Sequence, residues 1–308
     1  MSEDGDPAEA TDADVEDAEP ESAAGLTYAA TGVDIDASEA ATAALVGATG
    51  EFEGDYAGLV DIGDQYLALA TDGVGTKLLV AEAIDDYSTV GIDCMAMNVN
   101  DLLAQGVEPV AFVDYLAVEE PNDDTAEAIG EGLARGAEAA GVALVGGETA
   151  VMSDVIRGLD IAGACAGLAP KGALFPGEAE PGDAIVLLEP TRIYTDMLNP
   201  LRAHGTHAAA HVTGGGWTNL TRMGPHRYEI TDPFDAQPVF AFVQREGSVS
   251  DAEMHRTFNM GTGFVAALPE EDAEAVVDAT DDGRIIGTVG EADGDEDGTV
   301  AIRGLELP

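Results

Sequence analysis

Tyr66-Leu67-Ala68-Leu69-Ala70-Thr71-Asp72-Gly73-Val74-Gly75-Thr76-Lys77 is the stretch from which the rest of the chain can be read. Five apolar residues running into a glycine turn predict a buried strand whose end opens as a loop, and strand ends of α/β sheets are where ligands gather. Glycines let the backbone approach an anion closely, and a lysine placed beside them neutralises phosphate charge. The stretch is not a Walker A loop, because Gly-Lys-Ser/Thr is missing. Nor is it the dinucleotide fingerprint, which needs a third glycine. A bare glycine turn is a weak signal, since many strands end in one. Lysine scarcity strengthens it: of 12 Lys and Arg, only Lys77 and Lys171 are lysines.

Downstream, Ile92, Met95, Ala96, Val99, Leu102 and Leu103 follow helical spacing, with Gly106 as the stop. A strand is predicted over 110–118. A helix follows over 125–140, with Ile129, Leu133, Ala137 and Ala140 on its inner stripe. Ala143-Leu144-Val145 reads as a strand delivering Gly146-Gly147-Glu148-Thr149 as its terminal turn, and 161–168 as another strand. The proline- and glycine-rich run 169–182 marks a domain boundary. Beyond it come a strand over 183–188, a helix over 191–203 with a Thr191 cap, and a strand over 208–212 ending in Thr213-Gly214-Gly215-Gly216. Ser250-Asp251-Ala252-Glu253 has capping-box spacing, and 261–268 reads as a strand. The expectation is an α/β (α+β) protein of two domains, 26–170 and 181–308, behind an acidic disordered tail over 1–25. An exposed acidic loop is expected over 291–298.

The chain has 308 residues, 45% of them hydrophobic, and a net charge of −48. That length and apolar content suit packed domains, not wholesale disorder. So negative a surface repels phosphate backbones and anionic lipid, which argues against nucleic-acid and membrane binding. At molar salt the Debye length falls to about 3 Å, so the charge reads as adaptation to a salt-rich, halophilic interior. No apolar run reaches a membrane span, and the opening MSEDGDPAEA has no signal-peptide pattern, so a soluble cytoplasmic protein is expected. Cys94 and Cys165 sit in apolar stretches and read as buried core residues, too few for a disulfide framework.

Three further clusters carry candidate chemistry. Asn98-Val99-Asn100-Asp101 places amide and carboxylate oxygens on one helix, donors that suit Mg²⁺, although a solvated polar face is the bland alternative. Glu148 follows an apolar strand and two glycines, where a plain turn is equally plausible. Asp72, Asp101 and Glu148 together would form a three-carboxylate Mg²⁺ site for a nucleoside triphosphate. His211-Val212-Thr213-Gly214-Gly215-Gly216 ahead of a helix exposes successive N–H groups as a phosphate cradle. His211 alone is more often a hydrogen-bonded core residue than a base.

Read together, these segments resemble the phosphoribosylformylglycinamidine cyclo-ligase family, the aminoimidazole ribonucleotide synthetases of purine biosynthesis. The matching stretches are TGVDIDA (31–37), TDGVGTK (71–77), GIDCMAMNVNDLLAQGVEP (91–109), ALVGGETAVM (143–152), PTRIY (190–194), AHVTGGG (210–216) and EMHRTFNMGTGFVAALP (253–269). The first four are shared with a wider ATP-binding superfamily, and the last three look like the cyclo-ligase in particular. The resemblance implies ATP-dependent ring closure of formylglycinamidine ribonucleotide, with release of ADP and phosphate. It implies an N-terminal domain that forms a β-barrel across a homodimer, followed by an α/β C-terminal domain. It further implies that Asp72, Asp101 and Glu148 hold Mg²⁺, and that Gly73, Gly75, Thr76, Lys77, Asn100 and Thr149 bind ATP. Thr213, Gly214, Gly215, Gly216, Arg256 and Asn259 would bind substrate, with Asp72, Lys77 and His211 catalytic.

Two departures from the family pattern stand out. Strand 183–188 runs directly into PTRIY, where the family carries a segment on the order of 40 residues, enough for a crossover helix and its loops. The C-terminal domain is therefore expected to be shortened, and the competing reading is a nucleotide-binding homologue without catalysis. Between Gly47 and Asp64 the family's basic residues are replaced by Glu51, Glu53 and Asp55, so a nucleotide contact from there does not carry over.

Overall fold

The computed structural model describes residues 27, 40–41, 44, 56–188, 192–280, 283–291 and 298–307. The expected tail over 1–25, the 31–37 motif, the Thr191 cap and most of the 291–298 loop lie outside them.

The first unit is built on β1 (Gly58–Asp61) and β2 (Gln65–Gly73). Helices α1 (Lys77–Ile84) and α2 (Val90–Ala104) lead into β3 (Glu108–Val118). Helix α3 (Asp123–Ala140), β4 (Ala143–Val151) and β5 (Leu159–Pro170) complete it. The sheet order is β1-β2-β5-β3-β4, with β3 and β4 parallel and the other pairs antiparallel. Asn122 Oδ1 accepts from the N–H groups of Asp124 and Thr125, which sets the start of α3. Ala68, Ala70 and Phe112 are buried under α2, whose Val99 and Leu102 are fully covered. Crossing of α2 and α3 depends on glycine. A Cβ at Gly91 would lie 2.2 Å from Leu133 N and 2.3 Å from Ile129 O, so the two backbones touch.

The second unit opens with β6 (Ala184–Leu188), then a 3₁₀ turn (Thr195–Met197) and α4 (Leu198–Ala203). β7 (Ala208–His211), a 3₁₀ helix (Gly216–Met223) and β8 (Arg227–Ile230) follow. Then come α5 (Pro238–Gly247), α6 (Asp251–Thr257), β9 (Phe264–Leu268) and α7 (Glu270–Asp278). β10 (Arg284–Gly290), β11 (Thr299–Ile302) and β12 (Leu305–Leu307) end the chain. The strand order is β12-β11-β8-β10-β6-β9-β7. Alternation along β6 divides the core: Ala184, Val186 and Leu188 join the cluster shared with α2, while Ile185 and Leu187 pack with Trp217 and Tyr228. One hydrophobic core therefore runs from the first sheet into the second.

Most sequence expectations match these elements, including the Ser250 cap, whose Oγ accepts from Glu253 N–H. Two differ. Gly146-Gly147-Glu148-Thr149 is not a turn. β4 continues through it, because parallel pairing with Val113–Leu116 of β3 satisfies the backbone. The helix expected over 191–203 begins at Leu198, preceded by the 3₁₀ turn, because Arg192 and Tyr194 are held by the side chain of Asn100.

Candidate functional site between the two sheets

Asp72 stands at the end of β2, and its backbone is gripped from α2. Asp72 N–H donates to Asn98 Oδ1 at 2.8 Å, and Asn98 Nδ2 donates back to the Asp72 carbonyl at 3.1 Å. Asn98 is fully buried and also donates to the Cys94 carbonyl at 2.9 Å. The polar-face alternative thus fails for both asparagines, since Asn100 is buried as well. Helix α2 is covered by the first sheet on one side and the second unit on the other, leaving no solvated face at these positions. This grip aims the Asp72 side chain, whose Oδ1 accepts from Gly73 N–H at 2.7 Å. Burial first, and the nearby Asp101 carboxylate second, push the Asp72 carboxyl above its ordinary pKa. The Gly73 N–H, His211 and Arg222 pull it back.

Thr76 precedes α1, and Lys77, the first residue of that helix, is ion-paired with Asp93 of α2. From the second unit comes His211 at the end of β7, its Nδ1 2.9 Å from Asp101 Oδ1. The loop that follows is pinned by buried Asn219: Thr213 N–H donates to its Oδ1 at 2.9 Å, and its Nδ2 donates to the Gly214 carbonyl at 3.2 Å. The cradle is therefore narrower than expected, because the Thr213 N–H is already committed. Gly214 and Gly215 keep N–H groups without a partner among the described residues. Gly216 has φ +56° and no room for a side chain, since a Cβ would lie 2.2 Å from the His255 carbonyl.

These groups enclose a cavity of about 450 Å³ walled by both units. Asp72, Gly73, Gly75, Thr76, Lys77 and Asn100 line one side, and His211, Thr213, Gly214 and Asn259 the other. Asp101 is not part of that lining but contacts His211, which is. Asn100 reaches the cavity, but its amide is mainly committed to the Arg192 carbonyl and the Tyr194 N–H. Thr149 lines a different cavity, about 630 Å³, with Leu78, Tyr87 and Leu116. Arg256 is exposed on α6 and lines neither cavity.

Glu148 does not join Asp72 and Asp101 within the chain. Asp72 pairs across to Gly163, Asp114 and Gly147, whereas Glu148 shares the adjacent row with Tyr115, Ala162 and Gly73. Adjacent rows project to opposite faces, and three strand spacings of about 4.8 Å separate β2 from β4. Among the described residues no trio of His, Cys, Asp or Glu is placed to hold a metal. Of the three carboxylates expected together, Asp72 and Asp101 lie near each other within the chain and Glu148 lies apart from them.

Arg222 was missed in the sequence. It lies on the 3₁₀ helix that the triple glycine opens, with its guanidinium 5.2 Å from the Tyr56 ring and within electrostatic reach of Asp72. The other lysines and arginines, Arg256 excepted, reach a carboxylate or a backbone carbonyl. A free cation beside a phosphate-type loop, in a chain that has shed most of its cations, was the available signal. Cys94 and Cys165 are buried, which pushes both thiols up to about 12 and leaves them inert.

Comparison with known proteins agrees with this arrangement. The N-terminal domain pattern described as AIR synthase related protein matches residues 54–169, and its C-terminal domain pattern matches 139–302. A phosphoribosylformylglycinamidine cyclo-ligase of Methanococcoides burtonii is 40% identical over 334 residues, covering 92% of this chain and 98% of that one. Proteins of the same name from Methanosarcina mazei and Thermococcus kodakarensis are 42% and 41% identical, covering 87% and 81% of this chain and 96% and 90% of theirs. Among solved structures, AaThiL complexed with AMPPCP and TMP has a TM-score of 0.66 at 16% identity, covering 87% of this chain and 94% of that one. T. maritima PurL complexed with ADP has a TM-score of 0.63 at 20% identity, covering 84% of this chain and 46% of that one. At such identities these two speak for the fold alone. The relatives and both domain patterns together show that the chain belongs to the AIR synthase related family, among the phosphoribosylformylglycinamidine cyclo-ligases.

Proposed function

We propose that the cleft between the two sheets closes the imidazole ring of formylglycinamidine ribonucleotide at the expense of ATP. The observation that carries this reading is one cavity with Asp72, its carboxyl under the influence of nearby Asp101, on one wall and Gly214, with its N–H uncommitted, on the other. In the reaction the γ-phosphoryl group passes to the formyl-amide oxygen and ADP leaves. An amidine nitrogen then attacks that carbon, the C–O bond breaks, inorganic phosphate departs and a proton is lost. Most of the protein's work is positioning and charge stabilisation.

The donor set fits Mg²⁺, which takes one or two carboxylates and completes its shell with phosphate oxygens and water. Asp72 and Asp101 would hold it, and it would supply charge neutralisation at the transferring phosphoryl group. Lys77, backed by Asp93, and Thr76 stand where phosphates would meet the start of α1. Gly214 and Gly215 would grip the substrate phosphate, with Asn259 near the ribose end, whereas Arg256, outside the cavity, drops out of the substrate set. The family name of the relatives supports ring closure over the non-catalytic reading. In molar KCl, phosphate release is expected only when formylglycinamidine ribonucleotide and Mg-ATP are both present. Release with ATP alone, or none with a well-folded protein, would refute it.

Arg222 adds the positive charge that this site otherwise lacks on its second wall. Arg222→Ala is expected to raise KM for the ribonucleotide about tenfold, the effect of losing one charge-assisted contact, with little change in KM for Mg-ATP. Steady-state kinetics with each substrate varied in turn check it, and a rise in the ATP KM alone would reassign the residue.

The outer face of the first sheet supports a homodimer. Leu69, Val113 and Tyr115 are 51%, 41% and 44% exposed there, beside the small residues of β5. An apolar patch of this kind marks an interface, and pairing two such sheets would build the barrel and bury Glu148. Screening of −48 by molar salt is part of the same reading, because like-charged chains must approach. Sedimentation should show a dimer in molar KCl, dissociation as salt is removed, and a monomer for Val113→Asp at all salt concentrations. A monomeric unaltered protein in molar KCl would end this reading.

A shortened chain has support in the alignment totals, and we place the gap in the second domain, before PTRIY: 92% of 308 residues is about 283, yet 334 positions are compared with the M. burtonii protein. Roughly 50 positions therefore face no residue here. Among the described residues, no helix is long and apolar enough to cross a membrane, and we place the activity in the cytoplasm.

A further inference from the structure

His211 is 6% exposed at the seam between the two units, and its protonation pattern follows from its neighbour Asn100. Asn100 Oδ1 accepts from the Tyr194 N–H at 3.1 Å, and its Nδ2 donates to the Arg192 carbonyl at 2.9 Å. Two main-chain groups thus fix which end of the amide is which. The second Nδ2 hydrogen is available to His211 Nε2, 3.4 Å away, so that nitrogen presents its lone pair. The ring proton then sits on Nδ1, which donates to Asp101 Oδ1 at 2.9 Å. Both ring nitrogens are occupied inside the protein. A general base needs a nitrogen within reach of the substrate proton, and His211 has none to offer without breaking one of these bonds.

Asp101 and Asp72 are arranged alike. Each has Oδ1 held by a protein N–H, His211 Nδ1 for one and Gly73 N for the other, and each leaves Oδ2 without a partner among the described residues. We infer that His211 is a positioning residue and not the base: its Nδ1–H holds Asp101 so that the two free Oδ2 atoms face one divalent cation. Asp101 belongs to the first unit and His211 to the second, so the same bond joins the cation pair to the seam between the two units. This inference rests on the reading of Asp72 and Asp101 as the cation pair. Outer partners of this kind change metal affinity by about 10–100-fold when removed.

The test uses the full chain in molar KCl, with Mn²⁺ as the probe and free Mn²⁺ read by electron paramagnetic resonance in the presence of ADP. His211→Phe keeps a flat ring without the donor, and His211→Asn restores an N–H near the Nδ1 position. Mn²⁺ affinity is expected to fall about 10–100-fold in the first and to recover largely in the second. The Mg²⁺ concentration for half-maximal phosphate release should shift by the same factor. At saturating Mg²⁺ the pH dependence of kcat should keep its shape in both variants. Unchanged Mn²⁺ affinity in a folded His211→Phe protein overturns the inference, as does loss of a pH limb at saturating Mg²⁺. Absence of Mn²⁺ binding by the unaltered protein would overturn the cation pair itself, so the two failures are told apart by the control.

Discussion

Asp72→Asn is expected to lower phosphate release by at least about 10³-fold while leaving the protein folded. The expectation separates two things the residue does. Its backbone is held by Asn98 through two hydrogen bonds that the substitution leaves untouched, so the strand end stays in place. Its charge is what the site uses, and nothing else on β2 supplies one. Burial and Asp101 already oppose ionisation of Asp72. Its pKa is thus higher folded than unfolded, so its stabilising share is complete below the ordinary 3.8 and is lost as pH rises through the raised value. At neutral pH the asparagine variant without Mg²⁺ should therefore melt no lower than the unaltered protein, and somewhat higher. Calorimetric melting beside a phosphate-release assay checks both halves. Residual activity within tenfold, or a collapsed melt, would show that the charge is not the point.

Gly91→Ala is the largest expected effect on stability. The added methyl would lie 2.2 Å from Leu133 N, 2.3 Å from Ile129 O and 2.7 Å from Gly132 C, all backbone atoms of α3. No rotamer change relieves that contact, so the helices must separate, opening the core around Met95 and Leu133. Overpacking without a flexible neighbour costs about 3 kcal/mol or more, equivalent to a fall of about 6–12 °C in Tm. Gly130→Ala on the same α3 is the matched control. Its Cβ meets nothing within 4 Å, and replacing a helical glycine should raise stability by about 0.5–1 kcal/mol. Thermal melts of the two variants should move in opposite directions. Equal shifts would mean that the helix crossing tolerates more than its geometry allows.

Much of the site could be read from neighbours along the chain. The strand into Gly73, the turn, and Lys77 heading a helix are local facts, written in apolar runs and glycines that act within a few residues. So was the loop after β7, apart from Asn219, whose grip on Thr213 depends on how a 3₁₀ helix folds back. Net charge and the motif order needed no coordinates at all.

Glu148 is the clearest case of what local reading could not reach. Its place in a sequence of apolar residues and glycines suited a strand-end turn. Which face it takes depends on the register of β4 against β3, and of β3 and β2 against β5, and a one-residue slip would reverse it. Burial of Asn98 and Asn100 likewise needed the second sheet to close over α2, since helical periodicity says which residues share a face but not what covers that face. The proton on His211 and the placing of Arg222 over Tyr56, within reach of Asp72, follow from contacts between residues about a hundred or more positions apart or on separate elements. Short-range chemistry wrote the elements and the motifs. Pairing register and the docking of the two units chose which carboxylates meet, because those energies exist only once distant segments are packed together.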